Sequence, residues 1–179
     1  VTSNKELVAK YGAELIALAK ENNTNFLFEA SVGGGIPIIR PINECLTGDV
    51  ILEISGILNG TTNYILSKMT YDGWTFEQAL KDAQDKGYAE RNPEADVEGH
   101  DPCRKIAILA SLAVGQQVDF EDIYTEGITK ITAEDIRYAD ALGCKIKLLG
   151  TYKMVDGEHF AMVAPKLVPN TRPLSGVSD

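Results

Sequence analysis

The sequence is poor in cysteine and in basic residues, and both shortages exclude classes of protein. Its 179 residues include three cysteines, Cys45, Cys103 and Cys144, and none has Cys-x-x-Cys spacing. Isolated cysteines argue against a zinc site and against a disulfide framework. Lysines and arginines number 17 against 26 aspartates and glutamates, which gives a formal net charge of −9. Nucleic acids and anionic membranes bind basic patches, so we expect neither as a partner.

Long apolar runs and a dinucleotide fingerprint are also missing. No apolar run approaches the roughly 18 residues of a membrane-spanning helix. Since no signal-peptide pattern opens the chain either, we expect a cytoplasmic protein. The pattern Gly-x-Gly-x-x-Gly does not occur. The triple glycine at 33–35 lacks that spacing and predicts a tight backbone turn.

What is present fits a globular protein with a sizeable core, since 44% of the residues are hydrophobic and 24% are charged. The first half of the chain predicts short strands and helices in alternation. A helix is predicted after the capping box Ser3 to Glu6, strands at 25–29 and 49–57, a helix beginning at Ile36-Pro37, and a helix from about Thr62 to Met69.

The second half predicts helices followed by a hairpin. Thr75 and Gln78 form a capping box for a helix that ends at Gly87. Further helices are predicted from Asp101-Pro102 to Gly115 and from about Ala133 to Leu142. Two alternating strands at 144–155 and 158–168 flank Asp156-Gly157, which is typical of a type I′ turn. The predicted fold class is α+β, a mixed, largely antiparallel sheet with helices packed on one face.

The most polar stretch is 87–105, GYAERNPEADVEGHDPCRK, which brings several carboxylates to a helix N-terminus. Aspartate is a favoured N-cap and proline suits the first helical position, so a helix is predicted to start at Asp101-Pro102. Asp101 and Lys105 then share one helix face. Spacing alone leaves two interpretations open. Asp101 either caps the helix beside a solvated Lys105, or the two residues form a functional pair.

A glycine turn at Asn59-Gly60 leads into the helix that carries Thr61 and Thr62. The free N–H groups of a helix N-terminus, together with these hydroxyls, make a candidate anion site. The alternative is that a threonine only caps the helix. His100 and His159 have no partner at ligand spacing and are not predicted to bind metal.

Three segments of the chain resemble homoserine dehydrogenases. The first combines GYAE at 87–90, Asp96 and GHDPCRK at 99–105. The second is GILNGTTNY at 56–64, and the third is FEASVGGGIP at 28–37. They occur in the family's order over most of the chain, which makes the resemblance far more specific than any single motif.

The resemblance implies NAD(P)-dependent interconversion of L-homoserine and L-aspartate 4-semialdehyde in threonine, methionine and isoleucine biosynthesis. It also implies that residues 1–30 are the tail of a Rossmann-type nucleotide-binding domain, with most of that domain missing. Residues 31–179 would form a C-terminally truncated domain for substrate binding, catalysis and homodimerisation. The second copy or the missing half would cover the free face of the sheet. The isolated fragment is expected to be inactive.

The resemblance also implies roles for individual residues. Lys105 is the expected general acid or base, and Asp101 is expected to position it or the substrate. Lys5 is a second catalytic lysine that reaches the same pocket and the cofactor, and which of the two lysines holds the proton stays open. The substrate-binding residues are expected to be Glu90, Asp96, Gly60, Thr61 and Tyr88. Glu29, Val32, Gly34 and Ile36 match the place where the family binds a monovalent cation, Na⁺ or K⁺, and hard cations favour such oxygen ligands.

Two other functions compete with this interpretation. Asp96, Glu98 and Asp101 could bind a divalent metal in a carboxylate enzyme or a calcium module. The EF-hand spacing is absent, however, and Lys105 fits poorly beside a metal. The other is a non-catalytic regulatory or assembly domain, in which the acidic stretch is a solvated connection.

Overall fold

A computed structural model describes residues 1–178. The described helices are α1 (Lys5–Glu21), α2 (Gly60–Tyr71), α3 (Phe76–Asp85), α4 (Glu94–Val97), α5 (His100–Val114) and α6 (Ala133–Ala141). The described strands are β1 (Glu53–Gly56), β2 (Tyr124–Thr125), β3 (Cys144–Val155) and β4 (Glu158–Pro169), and they form one sheet in the order β1-β3-β4-β2. No helix within residues 1–178 combines the length and the apolarity that crossing a membrane requires. The predicted mixed, largely antiparallel sheet with helices is confirmed.

The β3–β4 hairpin is the longest regular pairing. Its two turn residues, Asp156 and Gly157, have φ values of 54° and 83°. Positive φ at both central positions is the requirement of a type I′ turn, which matches the twist of the flanking strands. The predicted hairpin and its turn type are therefore confirmed.

The chain divides into two compact units, which are described separately. Unit 1 comprises Val1–Ser55, Cys103–Tyr124 and Thr151–Met162, and unit 2 comprises Gly56–Pro102, Thr125–Gly150 and the residues from Val163 onward. The strands β3 and β4 and the helix α5 each run through both units. The boundary predicted near residue 30 stays a prediction.

Unit 1 is built around α1 and most of α5. Val8 and Ala9 of α1 are buried, and so are Ile106 and Leu109 of α5. Gln117 follows α5 and ties the unit together, because its amide oxygen accepts from the N–H of Ala13 at 3.2 Å. Its amide nitrogen donates to the carbonyl of Ala9.

Unit 2 is built around α2, which is buried on most of its surface. Its apolar side chains Tyr64, Ile65, Leu66 and Met69 are all buried. Lys147 of β3 is buried too, and its ammonium donates to the side-chain oxygen of Asn63 at 3.0 Å and to the carbonyl of Val177. A buried charge costs free energy unless it is hydrogen-bonded, so these bonds offset the loss of water.

Unit 2 also contains a backbone crossing beside the acidic stretch. Ile128 donates its N–H to the carbonyl of Val97 at 2.8 Å, and Glu126 donates to Val163 at 2.8 Å. A Cβ atom added to Gly127 would lie 2.1 Å from the carbonyl oxygen of Val97 and 2.4 Å from the Cα of Glu98. Glycine is required here because two backbones approach too closely for any side chain.

Several predicted elements differ in the structure. Residues 25–29 are not a strand; a single backbone bond from Thr2 to Leu27, 2.9 Å long, replaces a ladder, and a 3₁₀ turn follows at Glu29–Ser31. The strand predicted at 49–57 is limited to β1. The helix predicted from Ile36-Pro37 contains a π-helix at Pro41–Cys45. The short helix α4 lies inside the polar stretch 87–105, where no helix was predicted before Asp101.

The start of α1 also differs from its prediction. Asn4, and not Ser3, is the N-cap, and its side chain accepts from the N–H of Leu7 at 3.0 Å. Asparagine and serine cap helices about equally well, so propensity alone does not choose between neighbouring candidates.

Candidate functional site

Two of the predicted site carboxylates meet at one amide group in unit 2. The Nδ2 atom of Asn59 donates to Oδ1 of Asp96 at 2.7 Å and to Oδ2 of Asp101 at 2.9 Å. Asn59 precedes α2, Asp96 lies in α4 and Asp101 lies in the first turn of α5. Two charge-assisted hydrogen bonds therefore join Asn59 to residues that are 37 and 42 positions away in the chain.

The same asparagine starts α2. Its Oδ1 atom accepts from the N–H of Thr62 at 2.8 Å and from the hydroxyl of Thr62 at 3.0 Å. Asn59 is the N-cap, so neither Thr61 nor Thr62 has that role. The N–H groups of Gly60 and Thr61 belong to the first turn of α2, where a helix supplies no internal acceptor. They remain candidates for holding an anion.

The loop that carries Glu90 is held against this turn. The hydroxyl of Thr61 donates to the carbonyl of Tyr88 at 2.8 Å. The side-chain amide of Gln84, in α3, donates to the carbonyl of Glu90 at 3.1 Å. The structure thus brings the predicted residues Gly60, Thr61 and Tyr88 together, while the carboxylate of Glu90 lies on an exposed residue.

The ring of Tyr88 rests on a polar cluster between α2 and α3. It meets the ring of Tyr64 edge to face, with centroids 5.0 Å apart. The Tyr64 hydroxyl donates to the carboxylate of Asp82, and the Lys86 ammonium donates to both groups at 2.7 and 2.8 Å. The bond from Lys86, followed by that from Tyr64, lowers the pKa of Asp82, and the same cluster raises the pKa of Lys86. The cluster supports the Tyr88 ring through the contact between the rings of Tyr64 and Tyr88.

Asp101 is not the N-cap that its position before Pro102 predicts. The helix α5 begins one residue earlier, at His100, after Gly99 with a φ of +85°. Asp101 therefore lies inside the first turn, and it is 4% exposed. The interpretation in which Asp101 only caps the helix does not describe this side chain, which is buried and accepts a hydrogen bond from Asn59. Lys105 follows one turn later on α5 and is half-buried.

The two predicted lysines, Lys5 and Lys105, belong to unit 1. Lys5 is the first residue of α1, and both lysines are half-buried. Their chain neighbours form an ion pair, because a guanidinium nitrogen of Arg104 lies 3.4 Å from the Glu6 carboxylate. This pair is largely exposed at Glu6 and contributes little to stability. The ion pair shows that the N-terminus of α1 lies next to the first turns of α5.

Glu29 has a defined structural partner in unit 1. Its carboxylate accepts from the N–H groups of Ile38 at 2.6 Å, Ile39 at 2.8 Å and Arg40 at 2.9 Å. Burial acts to raise the pKa of Glu29, but these backbone N–H bonds outweigh it and lower the pKa below 4.5. The resulting stabilisation is present above the unfolded-state pKa and is lost as the pH falls through the folded-state value.

The other three residues predicted for the cation, Val32, Gly34 and Ile36, lie in the turn after Glu29. Val32 is buried, whereas Gly34 and Ile36 are exposed. A role in binding a monovalent cation stays a prediction for all four residues. For the competing divalent-metal function, residues 1–178 contain no group of three or more histidine, cysteine, aspartate or glutamate side chains that could hold an ion. Asp96 and Asp101 bond to an amide in this structure, and Glu98 does not complete a metal site with them.

Sequence reasoning missed Asn59, which organises the site. Its signal was present, since an asparagine before Gly-Thr-Thr is a typical N-cap. That signal accounts for the bond to Thr62 but not for the two carboxylates, which come from distant segments.

Comparisons with known proteins identify the family of this chain. The family model for homoserine dehydrogenase matches residues 37–179. The homoserine dehydrogenase of Bacillus subtilis is 49% identical over 177 residues, which are 99% of this chain and 41% of that protein. The crystal structure of a homoserine dehydrogenase from Thiobacillus denitrificans has a TM-score of 0.95 at 46% identity, covering 99% of this chain and 41% of that one.

A further solved structure is a hyperthermophilic archaeal homoserine dehydrogenase in complex with NADPH. Its TM-score is 0.85 at 32% identity, and the match covers 99% of this chain and 50% of that one. The chain thus spans about two fifths of the length of curated relatives such as the Bacillus subtilis protein. Since the family model covers most of the chain and the fold agrees along 99% of it, the chain belongs to the homoserine dehydrogenase family.

Proposed function

We propose that this chain is the substrate-binding part of an NAD(P)-dependent enzyme that interconverts L-homoserine and L-aspartate 4-semialdehyde. The observation that carries the proposal is the meeting of Asp96 and Asp101 at Asn59, beside the first turn of α2. Carboxylates next to helix N-terminal N–H groups offer partners for an ammonium and for a carboxylate in one place. L-Homoserine carries both groups at one end, and the reaction serves threonine, methionine and isoleucine biosynthesis.

In this proposal Glu90 and Asp96 bind the substrate ammonium. The N–H groups of Gly60 and Thr61 bind its carboxylate, because the Thr61 hydroxyl is already bonded to Tyr88. Asp96 is half-buried, so its charge is less screened than it would be in bulk water. Tyr88 contributes to the same pocket, since its carbonyl accepts from the Thr61 hydroxyl.

Lys105 is the proposed acid–base group. It takes the proton of the substrate hydroxyl as the alcohol becomes an aldehyde and returns it in the reverse reaction, while Asp101 positions it from the preceding turn. Lys5 is proposed as the second lysine of the same pocket. The ion pair between Arg104 and Glu6, the chain neighbours of the two lysines, supports this.

The nicotinamide cofactor supplies a hydride acceptor for the carbon that loses its hydrogen. This chain fits one end of that group. Lys5 is the first residue of α1, and its positive charge at a helix N-terminus suits a polar or anionic partner. Residues 1–179 contain no glycine fingerprint for the phosphates, so those contacts belong to another part of the complete enzyme.

The proposed function is tested by coenzyme reduction in the complete enzyme. We expect turnover of L-homoserine, and a large loss of kcat/KM with N-acetyl-L-homoserine or with L-homoserine methyl ester, each of which lacks one of the two charges. Equal kcat/KM values for the three compounds would contradict the proposed binding of the ammonium and the carboxylate. A regulatory or assembly domain, the competing function, predicts that the complete protein does not turn over homoserine.

Glu90→Ala is expected to raise KM for homoserine about 10- to 100-fold and to change kcat by only a few fold. The reason is that a group holding the ammonium in ground and transition states alike contributes uniform binding. Steady-state kinetics of the complete enzyme measure both constants. Glu94→Ala, which removes an exposed carboxylate of the same segment, is the matched control. A large loss of kcat at constant KM would instead place Glu90 in the chemical step.

Residues 1–179 alone are expected neither to bind NADP measurably nor to oxidise homoserine, because the phosphate-binding fingerprint lies outside them. Calorimetric titration with NADP, after circular dichroism has shown a cooperative melting transition, measures this. Micromolar binding by the folded fragment would refute the prediction.

Three further proposals concern the surroundings of the site. A Na⁺ or K⁺ ion is proposed at Glu29 and the turn of Val32, Gly34 and Ile36, supported by the abundance of oxygens there. Homodimerisation is proposed, supported by exposed apolar residues on the hairpin such as Phe160 and Leu167. A cytoplasmic location is proposed, supported by the three free cysteines, since free thiols suit a reducing compartment.

A further inference from the structure

We propose that Asn59 is a positioning residue, which holds the two carboxylates of the site in one orientation without neutralising them. The inference rests on the proposed function, because it concerns binding and turnover of homoserine. Asn59 is 7% exposed, and it bonds to three separate parts of unit 2, namely α2, α4 and α5. It touches Asp96 and Asp101 directly and acts on the substrate through them.

The hydrogen-bond pattern fixes which way the amide points. Oδ1 accepts from both the N–H and the hydroxyl of Thr62, and Nδ2 donates to the two carboxylates. Turning the amide over would place Nδ2 against the N–H of Thr62 and Oδ1 against two anionic oxygens. Both contacts would be repulsive, so one orientation satisfies all partners.

The charge of the side chain matters as much as its shape. Two neighbouring carboxylates repel each other, and a partner that donates a hydrogen bond to each relieves this. Lysine or arginine could do so as well, but its positive charge would compete with the substrate ammonium for Asp96. An amide offers two N–H donors and no net charge. It therefore orients Asp96 and Asp101 without adding a positive charge beside the carboxylate that binds the ammonium.

A consequence is that one oxygen of each carboxylate is fixed by the same amide group. Asp96 commits Oδ1 and Asp101 commits Oδ2 to Asn59, which sets the orientation of both carboxylates. Since α4 and α5 each contribute one aspartate, Asn59 also sets the spacing of the two helices at the site. Geometry within about 0.5 Å is what a binding constellation needs.

The test is Asn59→Asp in the complete enzyme. Aspartate caps a helix as well as asparagine does and has the same shape, but it replaces the double donor by a third anionic oxygen. We expect kcat/KM for homoserine to fall about 10- to 100-fold at about pH 8, as for lost hydrogen bonds to charged groups. The loss should shrink towards about pH 6. The titratable groups hydrogen-bonded to position 59 are Asp96 and Asp101, and a proton held among three carboxyl groups restores one donor.

Two further variants make the test decisive. Thr75→Asp places aspartate at the exposed N-cap of α3, away from these carboxylates, and should leave kcat/KM within about twofold of wild type. Asn59→Ser keeps a good cap but is too short to reach both aspartates. Asn59→Ser replaces Asn59→Asp as the test if the aspartate variant does not fold. We expect its kcat/KM to fall while its Tm changes little.

The outcomes separate the inference from the proposed function. Wild-type enzyme that fails to oxidise homoserine sinks the proposed function. If the wild-type enzyme is active and the Asn59 variants have the same kcat/KM as Thr75→Asp, only the role of Asn59 is overturned. A loss in Asn59→Asp that is equal at every pH and proportional to a fall in Tm would likewise reduce Asn59 to a helix cap.

Discussion

Lys105→Ala is expected to lower kcat of the complete enzyme for homoserine oxidation by about 10²- to 10⁴-fold, the usual contribution of a positioned acid or base. The fold should survive, because removing a half-buried lysine outside the apolar core changes the free energy of unfolding by about 0.5 kcal/mol or less. Steady-state kinetics and thermal melting of the same preparation measure both quantities.

The matched control for Lys105 is Lys81→Ala. Lys81 also lies on a helix and pairs with an aspartate four residues away, Asp85, at 2.8 Å, but that pair is exposed on α3. We expect full activity from the control. Retained melting with lost turnover in Lys105→Ala alone separates catalysis from stability. Turnover close to wild type would move the acid–base role to Lys5.

Asp101→Asn is expected to lower kcat about 10²-fold while Tm shifts by only a few degrees. Asparagine keeps an oxygen that can accept from the Nδ2 atom of Asn59, so the buried hydrogen bond survives and only the charge is lost. A rate assay combined with differential scanning calorimetry distinguishes the two effects. Asp85→Asn, an exposed change of the same kind, is the control.

The pair should also behave as one unit. If Asp101 acts by positioning Lys105, the double variant Asp101→Asn with Lys105→Ala should be little slower than the slower single variant. Multiplicative losses would mean that the two residues act independently. Full activity in Asp101→Asn would leave the aspartate a structural role in holding α5 to Asn59.

The elements that were predicted well are those whose information is local. The β3–β4 hairpin follows from alternating strands around Asp156-Gly157, and α3 follows from the Thr75 and Gln78 capping box. The segment at 25–29 was predicted wrongly because a short apolar run is compatible with several structures. Whether it joins a sheet depends on a backbone partner, and pattern alone does not reveal one.

The sequence indicated the types of residue at the candidate site, but not the hydrogen bonds that join them. The motifs contain Asp96 and Asp101, which meet at Asn59, and the Gly60-Thr61 turn is the helix N-terminus beside them, whereas the site role of Glu90 stays a prediction. The role of Asn59 was not predictable, since its bonds join α2 to segments that are 37 and 42 residues away. A cap that also binds distant carboxylates has the same local sequence as a cap that does not.

The crossing at Gly127 has a consequence for how this sequence can evolve. Residue 127 touches no group that we place in the reaction, yet any side chain there would collide with the backbone of Val97 and Glu98, next to Asp96. In a mutational scan scored by growth, position 127 should therefore be as intolerant as a catalytic position. Intolerance there would reflect excluded volume, and a change of substrate preference by mutation would have to leave this crossing untouched.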